Sequence, residues 1–488
     1  MKFVGRADTM ATLQTQLDAV RTTGRGRIVA IRGRRQVGKS AAVERFVESA
    51  DVPYVFSTGV YRASLQQQLN EFVTSIGESR IPLHDAETLF SSTPGSWAET
   101  FGALGISARS GPLIVVLDEF PWMTKTDPTL EGVLQSAWDR TLEKLPILIV
   151  LIGSDVSMME ELATYGRPLF GRVTQIVVNP LHLGEVAEAL PNQSSAEVMD
   201  SYLIAGGFPR LVTALAESGL SAEEYAKVSL TDPFSPLVST GRLVLEAEFP
   251  DAPAASHILS TIGADDSGHP RFSELLPIGN DPAEAKTAQT ALTRALALLS
   301  GPKSLVDKEI PAWGSDASRL RRYRVSDPYL RFWFRYVAKY VDLMFRGRSD
   351  IPIDHFTRDW SSWRGRSVEP VVRESILRLA ITDPDFTGVE QVAPWWSRDG
   401  QTEIDVVAAT ASETAVIGTI KWRSSGGVTD RDMFALAKAA DQVPRSSHAR
   451  LAAICRGGER PTGADVLLTA DDLVRAWRSS ADRAEDMR

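Results

Sequence analysis

The sequence predicts an α/β protein. A parallel sheet ends in a glycine-rich loop, and helices, a small helix-and-strand module and a second α/β region follow. Three observations predict it. First, an apolar β-branched run at 28–31 leads into Gly33-Arg34-Arg35-Gln36-Val37-Gly38-Lys39-Ser40, and the stretch after it has helical spacing, with Val43, Phe46 and Val47 on one face. Second, two further apolar runs, 112–117 and 146–152, end in polar residues, Asp118-Glu119 and Gly153-Ser154-Asp155. Unbroken apolar runs suit strands buried on both faces of a parallel sheet. Third, strand-like stretches begin at Val392, Thr402 and Ala415, with an Asp399-Gly400 turn signal between the first two.

Length and composition set the frame. At roughly 150 residues per domain, 488 residues make about three domains. Hydrophobic residues are 43% and charged residues 24%, too apolar for a disordered chain. No apolar run approaches the ~20 residues of a membrane-spanning helix, and no apolar core follows the charged N-terminus as in a signal peptide. Cys455 is the single cysteine, which excludes an intrachain disulfide and a cysteine-rich zinc site, and the six histidines are scattered. These features lead us to expect a cytoplasmic protein without a membrane partner. The net charge of −9 argues against a nonspecific nucleic-acid coat but leaves room for a local basic patch.

The first motif is a Walker A loop in its required setting of strand, glycine loop and helix. Gly33 and Gly38 let the backbone curl so that the N–H groups of the intervening residues (Arg34, Arg35, Gln36 and Val37) face phosphate, and the helix N-terminus adds a positive dipole end. Lys39 is expected to reach the β- and γ-phosphates of ATP, and Ser40 to ligate Mg²⁺. The strand ending in Asp118-Glu119 reads as Walker B: Asp118 holds Mg²⁺ through water and Glu119 polarises the attacking water.

Several stretches together resemble the prokaryotic "archaeal ATPase" group of STAND and AAA+-type P-loop NTPases. They are Phe3-Val4-Gly5-Arg6, the Walker A loop, Leu117-Asp118-Glu119-Phe120, Gly153-Ser154 and Pro168-Leu169-Phe170-Gly171-Arg172. Ala205-Gly206-Gly207-Phe208-Pro209-Arg210 and Tyr323-Arg324-Val325-Ser326-Asp327-Pro328-Tyr329-Leu330-Arg331-Phe332-Trp333-Phe334 complete the set. The resemblance implies that Ser154 senses the γ-phosphate; its residue type also suits an N-cap for the helix at 156–162. It implies that Arg172, rather than Arg167, neutralises transition-state charge, the alternative being a surface salt bridge. It also implies that Pro209 belongs to a lid element lying against the nucleotide.

The segments after the core (1–183) are expected to be a helical lid at 184–249, a winged helix at 250–328, a linker helix at 329–353 and a last domain at 354–488. In the winged helix, Ala291, Leu292, Ala295, Leu296 and Leu299 are spaced for burial. Lys286, Thr290 and Arg294 face away from Leu292 and Leu299, and Arg319, Arg321, Arg322 and Arg324 are candidates to clamp DNA phosphate. The alternative is an internal gate that packs against the nucleotide domain. The aromatic run 331–337 reads as a packed hinge, with base stacking as its alternative.

The last segment resembles the PD-(D/E)XK nuclease fold in its order of helix acid, strand Asp and strand Lys. The resemblance assigns Glu369 and Asp405 to Mg²⁺ and Lys421 to the water. One position departs: Thr419 stands where the motif has an acid, and a neutral hydroxyl is a weak ligand for a hard cation. Glu403, on the same strand face as Asp405, is the candidate replacement. An inactive or weakened nuclease fold is expected.

The functional expectation is an Mg²⁺-dependent ATP-binding protein and ATPase, a switch whose nucleotide state controls the winged helix and the nuclease-like module. ATP and ADP are its ligands, DNA a candidate partner, and a second copy or another protein a candidate assembly partner. The alternatives are an ATP-gated DNA nuclease and a nucleotide-responsive DNA-binding regulator without turnover.

Overall fold

The computed structural model describes residues 4–249, 253–265, 269–276, 282–301, 304–315 and 320–478. Phe3 and Arg319 lie outside them. The chain divides into two compact units, one of residues 6–180 and one of residues 181–488 with the first five.

In the first unit, five strands form a wholly parallel sheet: β1 (Arg27–Arg32), β2 (Tyr54–Thr58), β3 (Leu113–Asp118), β4 (Ile147–Gly153) and β5 (Val173–Val177). Their order is β2-β3-β4-β1-β5. β4 therefore lies between the strand that feeds the glycine loop and the strand that ends in the acids. The apolar runs are two-sided, as the sequence requires. Val29, Ile31, Val116 and Val150 face a layer made with Leu13, Leu17, Val43 and Phe46. Ile28, Ala30, Val115 and Leu151 face Leu69, Phe72, Trp97, Phe101 and Leu134.

In the second unit, the helices Leu183–Ala189, Ser195–Ala205, Pro209–Ser218, Ala222–Thr231 and Pro236–Glu248 come first. The Gly206-Gly207 break between two of them has a steric cause. Gly206 sits at φ +57, and a Cβ there would lie 2.9 Å from the Tyr329 Cβ. A Cβ on Gly207 would meet the Leu181 carbonyl at 2.0 Å. The helices Pro253–Ala264 and Pro282–Ser300 and a short turn of helix, Phe272–Leu275, precede an antiparallel hairpin, β6 (Val306–Glu309) and β7 (Arg322–Val325). Leu292, Ala295, Leu296 and Leu299 are buried as expected. Ala291 is exposed, because the adjoining elements cover a narrower stripe of that helix than the spacing suggested.

The helix Pro328–Tyr336 carries the aromatic run, and its position answers the choice between hinge and stacking surface. Phe332, Trp333, Phe334 and Tyr336 are all buried. Trp333 donates to the Val238 carbonyl (2.8 Å) and Tyr329 to that of Leu237 (2.9 Å). No ring of this run is available to a base.

The last region holds a mixed sheet: β8 (Gln391–Trp396), β9 (Glu403–Ala409), β10 (Thr414–Lys421), β11 (Arg450–Cys455) and β12 (Val466–Leu468), in the order β12-β11-β10-β9-β8. β8, β9 and β10 pair antiparallel, and β10, β11 and β12 pair parallel. The helix Glu369–Leu379 precedes the sheet, and the helix Asp430–Ala440 makes the crossover to β11. A cluster of buried charge joins this sheet to the first helices of the unit. Asp200 accepts from Arg364 (2.9 Å), from Arg456 and from the Trp422 indole (3.2 Å). No described helix is long and apolar enough to cross a membrane.

Candidate functional site

The glycine loop leaves β1 at Arg32 and ends at the helix Lys39–Ser49. Gly33 is a glycine because a Cβ there would lie 2.2 Å from the Val178 carbonyl oxygen, and Gly38 because the helix N-cap has φ +85. Gln36 also adopts a left-handed φ of +64. Lys39 is buried, and its ammonium donates to the carbonyls of Gly33 and Arg34, both at 2.8 Å. These bonds tie the loop to the helix that follows it.

β3 delivers Asp118 buried beside Ser40. Burial pushes the Asp118 carboxyl up, while the Ser40 hydroxyl, the Glu119 N–H (2.9 Å) and the charge of Lys39 hold it down. A loop hydroxyl and a buried carboxylate side by side are hard oxygen donors of the kind that would suit Mg²⁺. Glu119 caps the helix Phe120–Thr126 at φ +48, a left-handed conformation rare outside glycine. Burial and the neighbouring Asp118 raise its pKa, and Ser154 and the charges of Arg35 and Lys39 act the other way. The Ser154 hydroxyl lies 3.2 Å from both Glu119 carboxylate oxygens. The N-cap of the helix Val156–Glu161 is Asp155, which accepts from the Met158 N–H, so Ser154 does not cap it.

Gly33 to Ser40, Asp118, Glu119 and Ser154 thus meet at the carboxyl ends of β1, β3 and β4. Arg172 does not join them. It precedes β5, where Val173 pairs with Ile28 at the start of β1, so the strands' length, ~3.3 Å per residue, separates it from the loop. Its guanidinium makes a bidentate pair with Asp139 (2.7 and 2.9 Å). The surface salt bridge is what forms. Arg167 pairs with the buried Glu131. Arg35, exposed on the loop itself, is the arginine whose charge reaches Glu119. Pro209 opens the helix Pro209–Ser218 in the other unit.

Arg6 is a residue whose task the sequence did not disclose. It is buried, and its guanidinium donates to the Asn179 carbonyl (2.5 Å) and to the Val37 carbonyl. It therefore fixes the loop's outer turn to the end of β5. The signal was present in Phe3-Val4-Gly5-Arg6, but no local pattern says which carbonyl an arginine will reach.

In the other unit, Glu369 and Asp405 come together in a polar cavity of about 580 Å³. Burial, and then the charge of Asp405, push the Glu369 carboxyl up to about 7. Asp405 accepts from the Thr419 hydroxyl (3.1 Å) and the Ile420 N–H (2.7 Å). Arg373 bridges the Glu369 carboxylate (3.4 Å), the Asp405 carbonyl (3.0 Å) and Glu309 (2.8 Å). Glu403 lines the same cavity but is paired with Arg322. Lys421 does not line it, and its charge acts on Asp432. Among the described residues no group of three acids, histidines or cysteines is placed to hold a metal ion. The donor set does not fit a divalent cation, because a guanidinium lies between the two carboxyl-bearing residues.

The wholly parallel sheet, glycine loop and paired acids define a P-loop nucleotide-binding unit. Residues 3–215 match the family described as an ATPase domain predominantly from Archaea, and residues 333–433 a family of archaeal and bacterial proteins of unknown function. The first match supports an ATP-binding ATPase domain. An uncharacterized protein of Methanocaldococcus jannaschii is 24% identical over 434 residues, covering 88% of this chain and 89% of its own. Two solved structures are similar at lower identity. A Walker-type ATPase of Pyrococcus abyssi is 17% identical with a TM-score of 0.43, over 68% of this chain and 96% of its own. The Aeropyrum pernix ORC2 protein in its ADPNP–ADP complexes is 16% identical with a TM-score of 0.45, over 73% and 96%.

Proposed function

We propose that this chain binds ATP with Mg²⁺ and hydrolyses it, and that its nucleotide state controls the second unit. One observation carries the reading: Ser40, Asp118, Glu119 and Ser154 are hydrogen-bonded in sequence around the Walker A loop, with Lys39 buried beside them. Bound Mg²⁺ would supply positive charge next to the phosphates. The loop N–H groups and Lys39 hold those phosphates. Ser40 and Asp118 would hold the ion. Glu119 accepts a hydrogen bond from the attacking water and orients it, and Ser154 restrains that carboxylate. Pro209 is proposed to lie against the nucleotide as part of a lid at 184–249. A switch of this kind requires that its two states bind ATP with different affinity.

The test separates binding from chemistry. Lys39→Ala abolishes tight ATP binding measured by equilibrium dialysis. Glu119→Gln retains it and slows turnover by roughly a hundredfold or more. Glu119→Gln turning over like the wild type removes Glu119 from its role.

A second reading concerns residues 250–478. The order helix, short helix, helix, hairpin supports a winged helix at 250–328. The helix–three-strand–helix–strand order with Glu369 and Asp405 together supports a nuclease-like fold at 354–488, joined through the linker at 329–353. We propose that this fold does not cleave, because Thr419 donates to Asp405 where a second metal-binding acid is needed and Lys421 stands apart. Thr419→Glu should tighten Mn²⁺ binding measured by calorimetry. DNA cleavage by the unmodified chain that disappears in Asp405→Ala overturns this reading and favours an ATP-gated nuclease.

A further inference from the structure

Ser154 holds the tip of the Glu119 carboxylate, but the backbone beneath it sits in the left-handed region at φ +48. A residue with a Cβ keeps such a conformation only where its surroundings over-determine it. Two hydrogen bonds do so from within the chain: the Glu119 N–H donates to the Asp118 carboxylate (2.9 Å), and the Trp122 N–H to the Glu119 carbonyl (2.8 Å). A third restraint comes from the neighbouring strand. Thr58 at the end of β2 pairs with Asp118, and the next residue, Gly59, donates its N–H to the Asp118 carbonyl (2.8 Å). Gly59 also lies close to the Glu119 carbonyl, since a Cβ there would come 2.8 Å from that oxygen and 3.0 Å from the Met123 side chain. The peptide groups on both sides of Glu119 therefore adjoin Gly59. β2 is an edge strand, so the chain beyond Thr58 has a sheet neighbour on one side alone. A side chain holds it instead. The amide of Gln68, 1% exposed on the helix Leu65–Ile76, accepts from the Val60 N–H (2.9 Å) and donates to the Val60 carbonyl (2.7 Å). It stands in for the ladder bonds of a further strand. Two more ties lay residues 59–63 along the helix that Glu119 opens. The Tyr61 and Trp122 rings are 5.7 Å apart, and the Thr126 hydroxyl donates to the Ala63 carbonyl (3.1 Å).

We propose that Gln68 is a positioning residue for ATP hydrolysis: by clamping Val60 it seats Gly59 against Glu119 and keeps that carboxylate aimed at the attacking water. It acts through the backbone of residues 59 and 60 and is not itself a catalytic group. A buried amide is costly unless both of its groups are bonded, and an apolar side chain of the same length would fill the space without that demand. The amide is therefore explained by what it holds. Its effect falls on chemistry rather than on binding, because none of these contacts involves the phosphate-holding residues 33–40. The inference rests on the role given to Glu119 above.

The experiment uses the full chain, with ATP affinity from equilibrium dialysis and chemistry from single-turnover hydrolysis. Gln68→Met keeps the length of the side chain and removes both hydrogen bonds. Val60 is 43% exposed, so water can take up its freed groups and the variant should fold. It should slow the single-turnover rate by about 10- to 100-fold, the range that a displaced catalytic group produces, and leave the Kd for ATP within about twofold. Gly59→Ala should split rate from affinity in the same way, from the other end of the chain of contacts. The deciding arm is a double-mutant cycle with Glu119→Gln. Acting through Glu119, Gln68→Met should slow the Glu119→Gln chain by no more than about twofold further. A merely structural role would slow both backgrounds by the same factor, and that result overturns the proposal. So does a wild-type rate in Gln68→Met, or a loss of ATP affinity as large as the loss of rate. Where Glu119→Gln is slow and Gln68→Met is not, this inference alone falls. Where Glu119→Gln hydrolyses like the wild type, the role of Glu119 falls with it.

Discussion

Arg6 shows what a single residue contributes that pattern does not reveal. Its guanidinium holds two carbonyls, Val37 in the loop and Asn179 after β5. Charge-assisted bonds of this kind are worth ~1.5–3 kcal/mol each. Arg6→Ala therefore frees the loop's outer turn, and the expected result is ATP affinity lowered about tenfold or more, with Lys39 intact, in the same dialysis assay; unchanged affinity would remove Arg6 from the loop's support. That the glycine loop, Lys39, Ser40 and the two acids would meet was legible, because glycine, lysine, serine and two acids at strand ends have one common reason to occur together. The arginine was not. Arg167 and Arg172 each follow β4 at a plausible distance, and only the parallel pairing of Ile28 with Val173 reveals that Arg172 enters its strand at the end away from the glycine loop. Ser154 was legible as a residue but not as a partner: its contact with Glu119 depends on β4 lying beside β3, which no local pattern states.

Of the C-terminal sheet, β8, β9 and β10 were legible as strands, and their acid pair as a pair, whereas β11 and β12 were not. What surrounds the pair was not. Glu309 and Arg322 come from the hairpin and Arg373 from a helix, so the cavity is built from segments far apart in sequence. Its electrostatics make a prediction. Burial and then the charge of Asp405 raise the pKa of the Glu369 carboxyl, with Glu309 adding to them and Arg373 and Arg331 opposing them. The folded pKa of Glu369, about 7, lies above the unfolded value near 4.5, so the native state binds the extra proton between those values. This group's contribution is therefore full below about pH 4.5 and is lost as pH rises toward 7. Burial of the neighbouring His269 has the opposite sign, since it lowers that pKa and favours the native state as pH rises. Comparing wild type with Glu369→Gln isolates the first effect. The variant should lack a decline of roughly 1–3 kcal/mol between pH 5 and 7, measured by denaturant melts. Equal slopes would mean that Glu369 is ionised in the fold. The Asp200 cluster is the stability counterpart. Asp200→Asn leaves the buried Arg364 and the half-buried Arg456 without this negative partner, at an expected cost of ~3–5 kcal/mol.

At the scale of the molecule, segments that read as separate lid, winged helix, linker and last domain share one interior. A continuous apolar cluster runs from Leu181 through Phe208, Tyr329 and Phe332 to Trp477. Pro191-Asn192 and Asp232-Pro233 separate helices, but a break in a helix is not a break in a core, and the buried aromatics of 329–336 fill the space between the segments. The core of residues 6–180 is made of its own two layers on either side of the parallel sheet. Two separate cores predict two calorimetric transitions. ATP with Mg²⁺ at about a hundred times its Kd stabilises whatever binds it by ~2.7 kcal/mol. That should raise the transition of the nucleotide unit alone by a few degrees, and Lys39→Ala should abolish the shift. Asp200→Asn should lower the other transition and leave the ATP-sensitive one in place, because its partners all lie within residues 181–488. A single transition that moves with ATP and with Asp200→Asn alike would mean that the units unfold as one cooperative body, which their separate interiors argue against.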